Sequence, residues 1–390
     1  MRKSLLAMAA LMGVATLPAH AWRVNIDQET FADIGFSNIV RGIYEGKRSN
    51  DPNEKSRINF FVPLFNITAS GQVNKLVYFS MNAEGGSTTA NLAQNTIRVR
   101  DSFIGLKFAD EFRLQAGLMR APFSRAALTS TYVQLFPYTP PFNALAFQPT
   151  NVGTGLNPRD HGVVIWGNVA DGLVKYYFGI TDGATIDSPN DSSLATTIRV
   201  QFTPVMLGFK PETGYTVSDT YLGRQDVLSI GVGYRVVGRS SPQRDTKMLT
   251  VDALYEKKFG DIVPNLQVGY IDQKDTRGNN GEKARQLYIQ GGVLLDQMVG
   301  FGKPALAVRL EQNQNKNIAG APANANDPKV TRFGVIAHYY IKGQAAKVSL
   351  GLDSVRLNSE ARNRDCDPNT AGTQNCRNFT DVTLQFQTQF

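Results

Sequence analysis

Asp381-Val382-Thr383-Leu384-Gln385-Phe386-Gln387-Thr388-Gln389-Phe390 alternates apolar and polar side chains to the last residue. Successive side chains of a strand point to opposite faces. Val382, Leu384, Phe386 and Phe390 therefore share one face, and Asp381, Thr383, Gln385, Gln387 and Gln389 share the other. One apolar and one polar face, ending on an aromatic residue, suits a wall with lipid on one side and a watery lumen on the other. The last half-buried strand of a soluble sheet would show the same pattern. The rest of the chain decides between the two.

It repeats the pattern. About sixteen strand-like segments occupy residues 31–44, 58–69, 75–81, 97–108, 112–119, 162–169, 173–181 and 196–203, then 227–237, 248–258, 264–272, 286–295, 305–312, 330–341, 347–357 and 378–390. In 173–181, Val174, Tyr176, Phe178 and Ile180 oppose Lys175, Tyr177, Gly179 and Thr181. In 97–108 the parity switches between Val99 and Ile104, which predicts a bulge or an upper part lying beyond the bilayer. Long polar loops at 82–93, 182–194, 274–283, 313–329 and 358–377 alternate with short turns, as in a bacterial outer-membrane barrel. One connection departs from this: 204–226 falls on the short-turn side yet is long, so the strand count there stays open by two. No segment approaches 18 consecutive apolar residues, which excludes a transmembrane helix. The expected fold is all-β, a transmembrane antiparallel barrel of about sixteen strands, closed because an open edge in lipid has no water to satisfy it.

The N-terminus carries Arg2 and Lys3, an apolar run over 5–17 and Ala19-His20-Ala21, the layout of a secretory signal peptide cleaved before Trp22. Residues 1–21 are the expected signal and 22–390 the barrel domain. Cleavage lowers the formal charge from +8 to +6 by removing Arg2 and Lys3. Cys366 and Cys376, the two cysteines of the exported chain, are expected to close one loop disulfide. No metal site or other cofactor is implied. Apart from His20 in the leader the chain holds His161 and His338, neither in a hydrolase motif, and no Gly-x-Ser-x-Gly or phosphate loop occurs. An enzyme is therefore not expected, and His338 is read as a water-exposed residue of the inner wall. No Lys/Arg run or recognition motif points to nucleic acid. The positive charges are expected to meet lipopolysaccharide in the outer membrane, or a permeating small anion.

Residues 121–158 form the longest connection without an evident strand, and such length suggests function. It is aromatic and carries one charge: Phe123, Tyr132, Phe136 and Tyr138, then Phe142 and Phe147, with Arg125. Arg120 and Arg159 flank it. The expectation is a loop folded into the lumen as a constriction; an external loop against a neighbouring subunit is the alternative.

Ala116-Gly117-Leu118-Met119-Arg120-Ala121-Pro122-Phe123-Ser124-Arg125 resembles the G-x-x-x-x-P-F-[ST] segment of the phosphate-selective porin O and P family. Pro158-Arg159-Asp160-His161-Gly162-Val163-Val164-Ile165-Trp166-Gly167 resembles that family's R-D-x-G-[VI]-x-[VIL]-x-G strand. Tyr177-Phe178-Gly179-Ile180-Thr181-Asp182-Gly183 is similar to the segment that follows it. The resemblance implies a trimeric sixteen-stranded outer-membrane channel for anions. Phosphate-preferring members line the constriction with several Lys and Arg, whereas 121–158 offers one Arg and no Lys.

Parity assigns Arg113, Lys175, Arg199, Arg235, Arg309, Arg332 and Lys347 to the lumen, against Asp252, Glu256, Glu311, Asp353 and Asp381. Positive rings favour anions, although ion pairing along the wall would absorb part of this charge. The functional expectation is a porin passing small, anionic solutes such as phosphate, with Phe390 as the assembly signal. A channel for an organic acid or amide, and a plugged structural or adhesin barrel, remain the alternatives.

Overall fold

The computed structural model describes residues 22–86, 96–137, 159–183, 194–238, 246–275, 283–316, 327–362 and 376–390. The wall opens with β2 (Phe31–Glu45), β3 (Arg57–Gln72), β4 (Val77–Gly86), β5 (Thr96–Lys107) and β6 (Arg113–Arg120). It continues through β7 (Arg159–Val169), β8 (Val174–Thr181), β9 (Ala195–Phe202), β10 (Val227–Val237), β11 (Thr246–Glu256) and β12 (Ile262–Asp275). β13 (Lys283–Leu295), β14 (Lys303–Lys316), β15 (Lys329–Tyr340), β16 (Ala346–Leu357) and β17 (Phe379–Gln389) complete it. Each strand pairs antiparallel with its successor, and β17 pairs with β2 from Asp381↔Glu45 to Gln389↔Ser37. The result is a closed sixteen-stranded barrel. A short β1 (Trp22–Asn25), with no counterpart in the sequence expectation, adds to the beginning of β2.

Period-two patterning explains the closure. Leu350 and Leu352 of β16 and Leu384 and Phe386 of β17 are exposed outward, while Lys347, Ser349, Asp353, Asp381, Thr383 and Gln385 are buried inward. In lipid every strand must find a partner on both sides, so an alternating chain has only the ring available. β4 and β14 run several residues into stretches whose composition marks them as loops. Above the bilayer both faces of a strand meet water, so the apolar alternation stops while the hydrogen-bond ladder continues. The switch of parity in β5 is a bulge: Asn82 pairs with Asp101 and Ala83 with Val99, leaving Arg100 as the extra residue.

The seam is held at its lower end by the last residue. The Phe390 N–H donates to Phe36 O at 2.9 Å, the Phe36 N–H returns a bond to Phe390 O at 2.9 Å, and the two rings lie 5.7 Å apart. The short connections share the end of the barrel that holds Phe390. One of them, 170–173, puts Ala170 and Asp171 at φ 51° and 56°, the left-handed geometry that follows strand twist. Apart from 203–226, the long connections lie at the opposite end. No helix among the described residues is long and apolar enough to cross a membrane, which concerns helices only.

A candidate constriction built from two inward segments

Two connections, one from each end, fold into the lumen. The first is 121–137, the described part of the expected constriction loop; residues 138–158, with Tyr138, lie outside the described residues. It begins with α1 (Arg125–Leu128), whose Ser124 hydroxyl accepts the Ala127 N–H at 3.1 Å and so caps the turn. The loop then crosses the bore. The Arg41 guanidinium on β2 donates to Pro137 O at 3.2 Å, and Gln387 Nε2 on β17 donates to Tyr132 O at 2.8 Å. Its aromatics press into the wall instead of pointing along the bore. Phe123 packs with Ala195, Val237, Met248 and Ile271, Tyr132 with Ile39 and Leu64, and Phe136 with Leu135, Ala307 and Ile336. Gly233 makes room for this: a Cβ there would stand 2.0 Å from Phe123 O.

The second segment is 203–226, and here the sequence expectation is corrected. It adds no strand pair and does not hang free on the short-turn side. It turns inward and lies against the first segment, through a parallel bridge between Thr129 and Val217 and a bond from the Leu135 N–H to Asp219 Oδ2 at 3.1 Å. Tyr215 packs edge-on against Trp166 and Tyr177, and its hydroxyl donates to Arg120 O at 2.6 Å.

Arg125 joins the two segments. Its guanidinium donates to both oxygens of Glu212, at 2.8 and 2.7 Å, and to Ser229 Oγ at 3.0 Å. Both side chains of the pair are 1% exposed. Glu212 also accepts from Gln201 Nε2 at 2.9 Å and from the Tyr221 hydroxyl. Burial alone would push the Glu212 carboxyl up; the Arg125 charge and the bonds it receives outweigh that and bring it down to about 2 from the ordinary 4.5. The sign follows: a depressed carboxyl contributes stability in full above its unfolded value and loses it as pH falls toward the folded one. The contribution of the Arg125–Glu212 pair to single-channel conductance is therefore expected to hold constant between about pH 5 and 8 and to change only on further acidification. A conductance step near neutrality attributable to Glu212 would contradict this arrangement.

The bases expected in the lumen all face inward, and most are engaged. Arg199 grips Asp252 with two bonds of 2.7 Å, although β10 runs between their strands. Gly231 permits the reach, since a Cβ there would stand 2.3 Å from the Arg199 guanidinium and 2.7 Å from Asp252 Oδ1. Arg235 pairs with Asp160 at 3.0 Å, Arg309 with Glu311 at 3.2 Å and Arg332 with Asp353 at 2.7 Å. Lys175 binds Glu212 O at 2.6 Å, and Lys347 binds Gln134 O at 3.2 Å. The two lysines thus hold the inward segments by their backbone carbonyls. Arg120 donates to Ala127 O at 2.8 Å, again inside the loop. His338 is inward but buried, with Nδ1 2.8 Å from Ser349 Oγ, so the water-exposed position expected for it is corrected.

A different group stands at the mouth. Arg98 and Arg100 both reach Glu84 Oε1 at 3.1 Å, and Arg159 pairs with Asp101 at 2.9 Å beside them. The bulge at Arg100 carries it and Asp101 to the same inner face. The Arg98 side chain is 63% exposed, open to a passing solute. Toward the other end a cavity of about 830 Å³ is bordered by Ser37, Asn66, Thr68, Tyr132, Gln344 and Gln389 among others. Sequence reasoning missed Glu212, Asp219, Arg98 and Arg100; the parity switch in β5 was the one signal that marked the last of these. Cys376 is disulfide-bonded and buried among Val330, Val355 and Phe379; Cys366 lies outside the described residues.

A sequence model of one family, Phosphate-selective porin O and P, matches residues 42–258. An uncharacterized protein of Aquifex aeolicus (strain VF5) is 25% identical over 270 residues, which cover 64% of this chain and 61% of the relative. The match thus spans about three fifths of that relative's length. Among solved structures, OprB of Pseudomonas putida superposes with a TM-score of 0.60 at 10% identity, covering 94% of this chain and 95% of its own. The anion-selective porin of Comamonas acidovorans gives 0.59 at 12%, covering 92% and 100%. The trimer form of Vibrio cholerae OmpT gives 0.51 at 12%, covering 92% and 99%. At these identities the structural likenesses establish the fold.

Proposed function

We propose, from the premise that this chain belongs to the phosphate-selective porin O and P family, that it is an outer-membrane channel favouring small anions. One observation carries the anion preference: Arg98 and Arg100 share a single carboxylate, Glu84, on the inner face of the mouth. Two guanidiniums on one carboxylate leave positive charge where a solute enters, whereas deeper arginines are balanced by partners. Positive rings favour anions in a pore. Phosphate selectivity in the strict sense is not part of the proposal, because the one base of the constriction loop, Arg125, is engaged by Glu212.

The test is the reversal potential of the folded protein in a planar bilayer across a KCl gradient. Wild type is expected to prefer chloride. Arg98→Gln with Arg100→Gln is expected to lower the anion-to-cation ratio about fivefold, the effect of roughly 1 kcal/mol for one unit charge about 4 Å away in water. A ratio unmoved by the double change would remove the assignment.

A second cargo has its own support. The amide and hydroxyl groups around the lower cavity, beside the charged Arg224, Asp296, Lys303 and Lys342, suit a small polar solute such as an amide, or an organic acid. Swelling of liposomes in isotonic acetamide, against sodium acetate, distinguishes the two. The reading includes a leader over residues 1–21 removed on export, a disulfide between Cys366 and Cys376, and three copies in the assembly. The trimer rests on the family and on the OmpT trimer form.

A further inference from the structure

The outer face of the barrel turns from apolar to basic at one place. On β16 the outward positions run Leu350, Leu352, Ser354, Arg356 toward the long-loop end; on β17 they run Leu384, Val382, Thr380, with Arg377 just beyond. Arg356 lies two outward steps above Leu352, about 13 Å along the strand. The Gly46 N–H donates to Thr380 O at 3.1 Å and the Arg377 N–H to Arg48 O at 2.8 Å, which brings Lys47, just beyond the end of β2, to the same height.

Between these strands opens a cleft of about 640 Å³, bordered by Tyr44, Lys47, Ser354, Arg356, Arg377 and Thr380 among others. Among the described residues its border holds three bases and no acid. Unlike the inner arginines, Lys47, Arg356 and Arg377 form no ion pair among the described residues. Tyr44, on the outward face of β2 and 43% exposed, sits where the apolar band gives way, the usual position of an interfacial aromatic.

We infer that this cleft binds the phosphorylated headgroup of an outer-leaflet glycolipid. The inference rests on the outer-membrane location proposed above, which puts the long-loop end outside the cell. Three bases without a carboxylate complement a phosphate ester, and arginine meets its oxygens in a two-bond fork. The apolar columns below the cleft would lie along the acyl chains of the same molecule. A basic pocket at headgroup depth is a recurrent way for membrane proteins to hold a particular lipid.

The experiment takes the folded, delipidated protein in detergent and reads bound lipid by native mass spectrometry. The probes are diphosphorylated lipid A, its dephosphorylated form and inorganic phosphate. Wild type is expected to retain the diphosphorylated lipid and not the dephosphorylated one. Lys47→Gln, Arg356→Gln, Arg377→Gln together are expected to weaken retention at least about tenfold, as loss of charge-assisted hydrogen bonds implies. Single-channel conductance of that variant stays at the wild-type value, which separates this inference from the channel proposal. If the triple variant does not fold, Arg356→Gln alone is read the same way, with a loss of about threefold or more expected. Undiminished lipid retention in a folded variant would overturn the inference. So would displacement of the lipid by equimolar inorganic phosphate, which would make this a free-ion site. A change in oligomer mass with lipid retention unaltered would assign the cleft to a contact between copies, and would overturn it too.

Discussion

Glu212→Ala is expected to raise single-channel conductance and open-channel noise while leaving the barrel folded. The substitution strands Arg125 in a site 1% exposed, with no other carboxylate on its guanidinium among the described contacts. Removing one partner of a buried ion pair costs roughly 3–5 kcal/mol, because the remaining charge loses its compensation. That cost falls on the contact between the segments 121–137 and 203–226, the two pieces that narrow the bore. The wall does not depend on it, since its ladder of antiparallel pairs runs from β2 around to β17 without either segment. Heat-modifiable mobility on a gel should therefore match wild type. Arg125→Met combined with Glu212→Leu should be milder than either single change, because it leaves no buried charge without its counterion, although Gln201, Tyr221 and Ser229 each lose a hydrogen-bond partner. Unchanged conductance in a folded Glu212→Ala protein would mean that the pair does not hold the constriction.

Deleting Phe390 acts on the wall instead. Two backbone bonds of 2.9 Å to Phe36 and the contact between the two rings vanish together at the seam between the last strand and β2. Unsatisfied backbone groups facing lipid cost several kcal/mol each, and they appear here at the junction that closes the ring. The expected result is loss of most of the folded barrel from the outer membrane. Phe390→Tyr keeps both backbone bonds and the ring, so it should recover near-normal levels. Wild-type amounts of heat-modifiable barrel after the deletion would count against the seam as the critical junction.

The wall was legible in the sequence because its rule is local. Alternation located all sixteen barrel strands, and the parity switch in β5 announced the bulge that turns Arg100 to the inner face. The constriction was legible in half. Loop length and aromatic content pointed 121–137 inward, but nothing local marked 203–226 as its counterpart, because a segment lining a wet lumen is as polar as a periplasmic turn. Arg125 and Glu212 stand 87 positions apart, and Arg199 reaches Asp252 across an intervening strand through the gap at Gly231. Parity tells which way a side chain points, not what waits for it across the bore. That is why a count of inward bases overstated the charge offered to a solute.

The loop 121–137 touches opposite arcs of the ring, β10 and β11 through Arg125 on one side, and β2, β16 and β17 through Pro137, Gln134 and Tyr132 on the other. A hoop with a spoke resists being squashed oval, because flattening must stretch bonds at both ends of the spoke at once. Lateral pressure from the surrounding bilayer would then be carried partly by the same few contacts that set the bore. Breaking the spoke would make the channel's conductance sensitive to lipid thickness, a property the braced hoop suppresses.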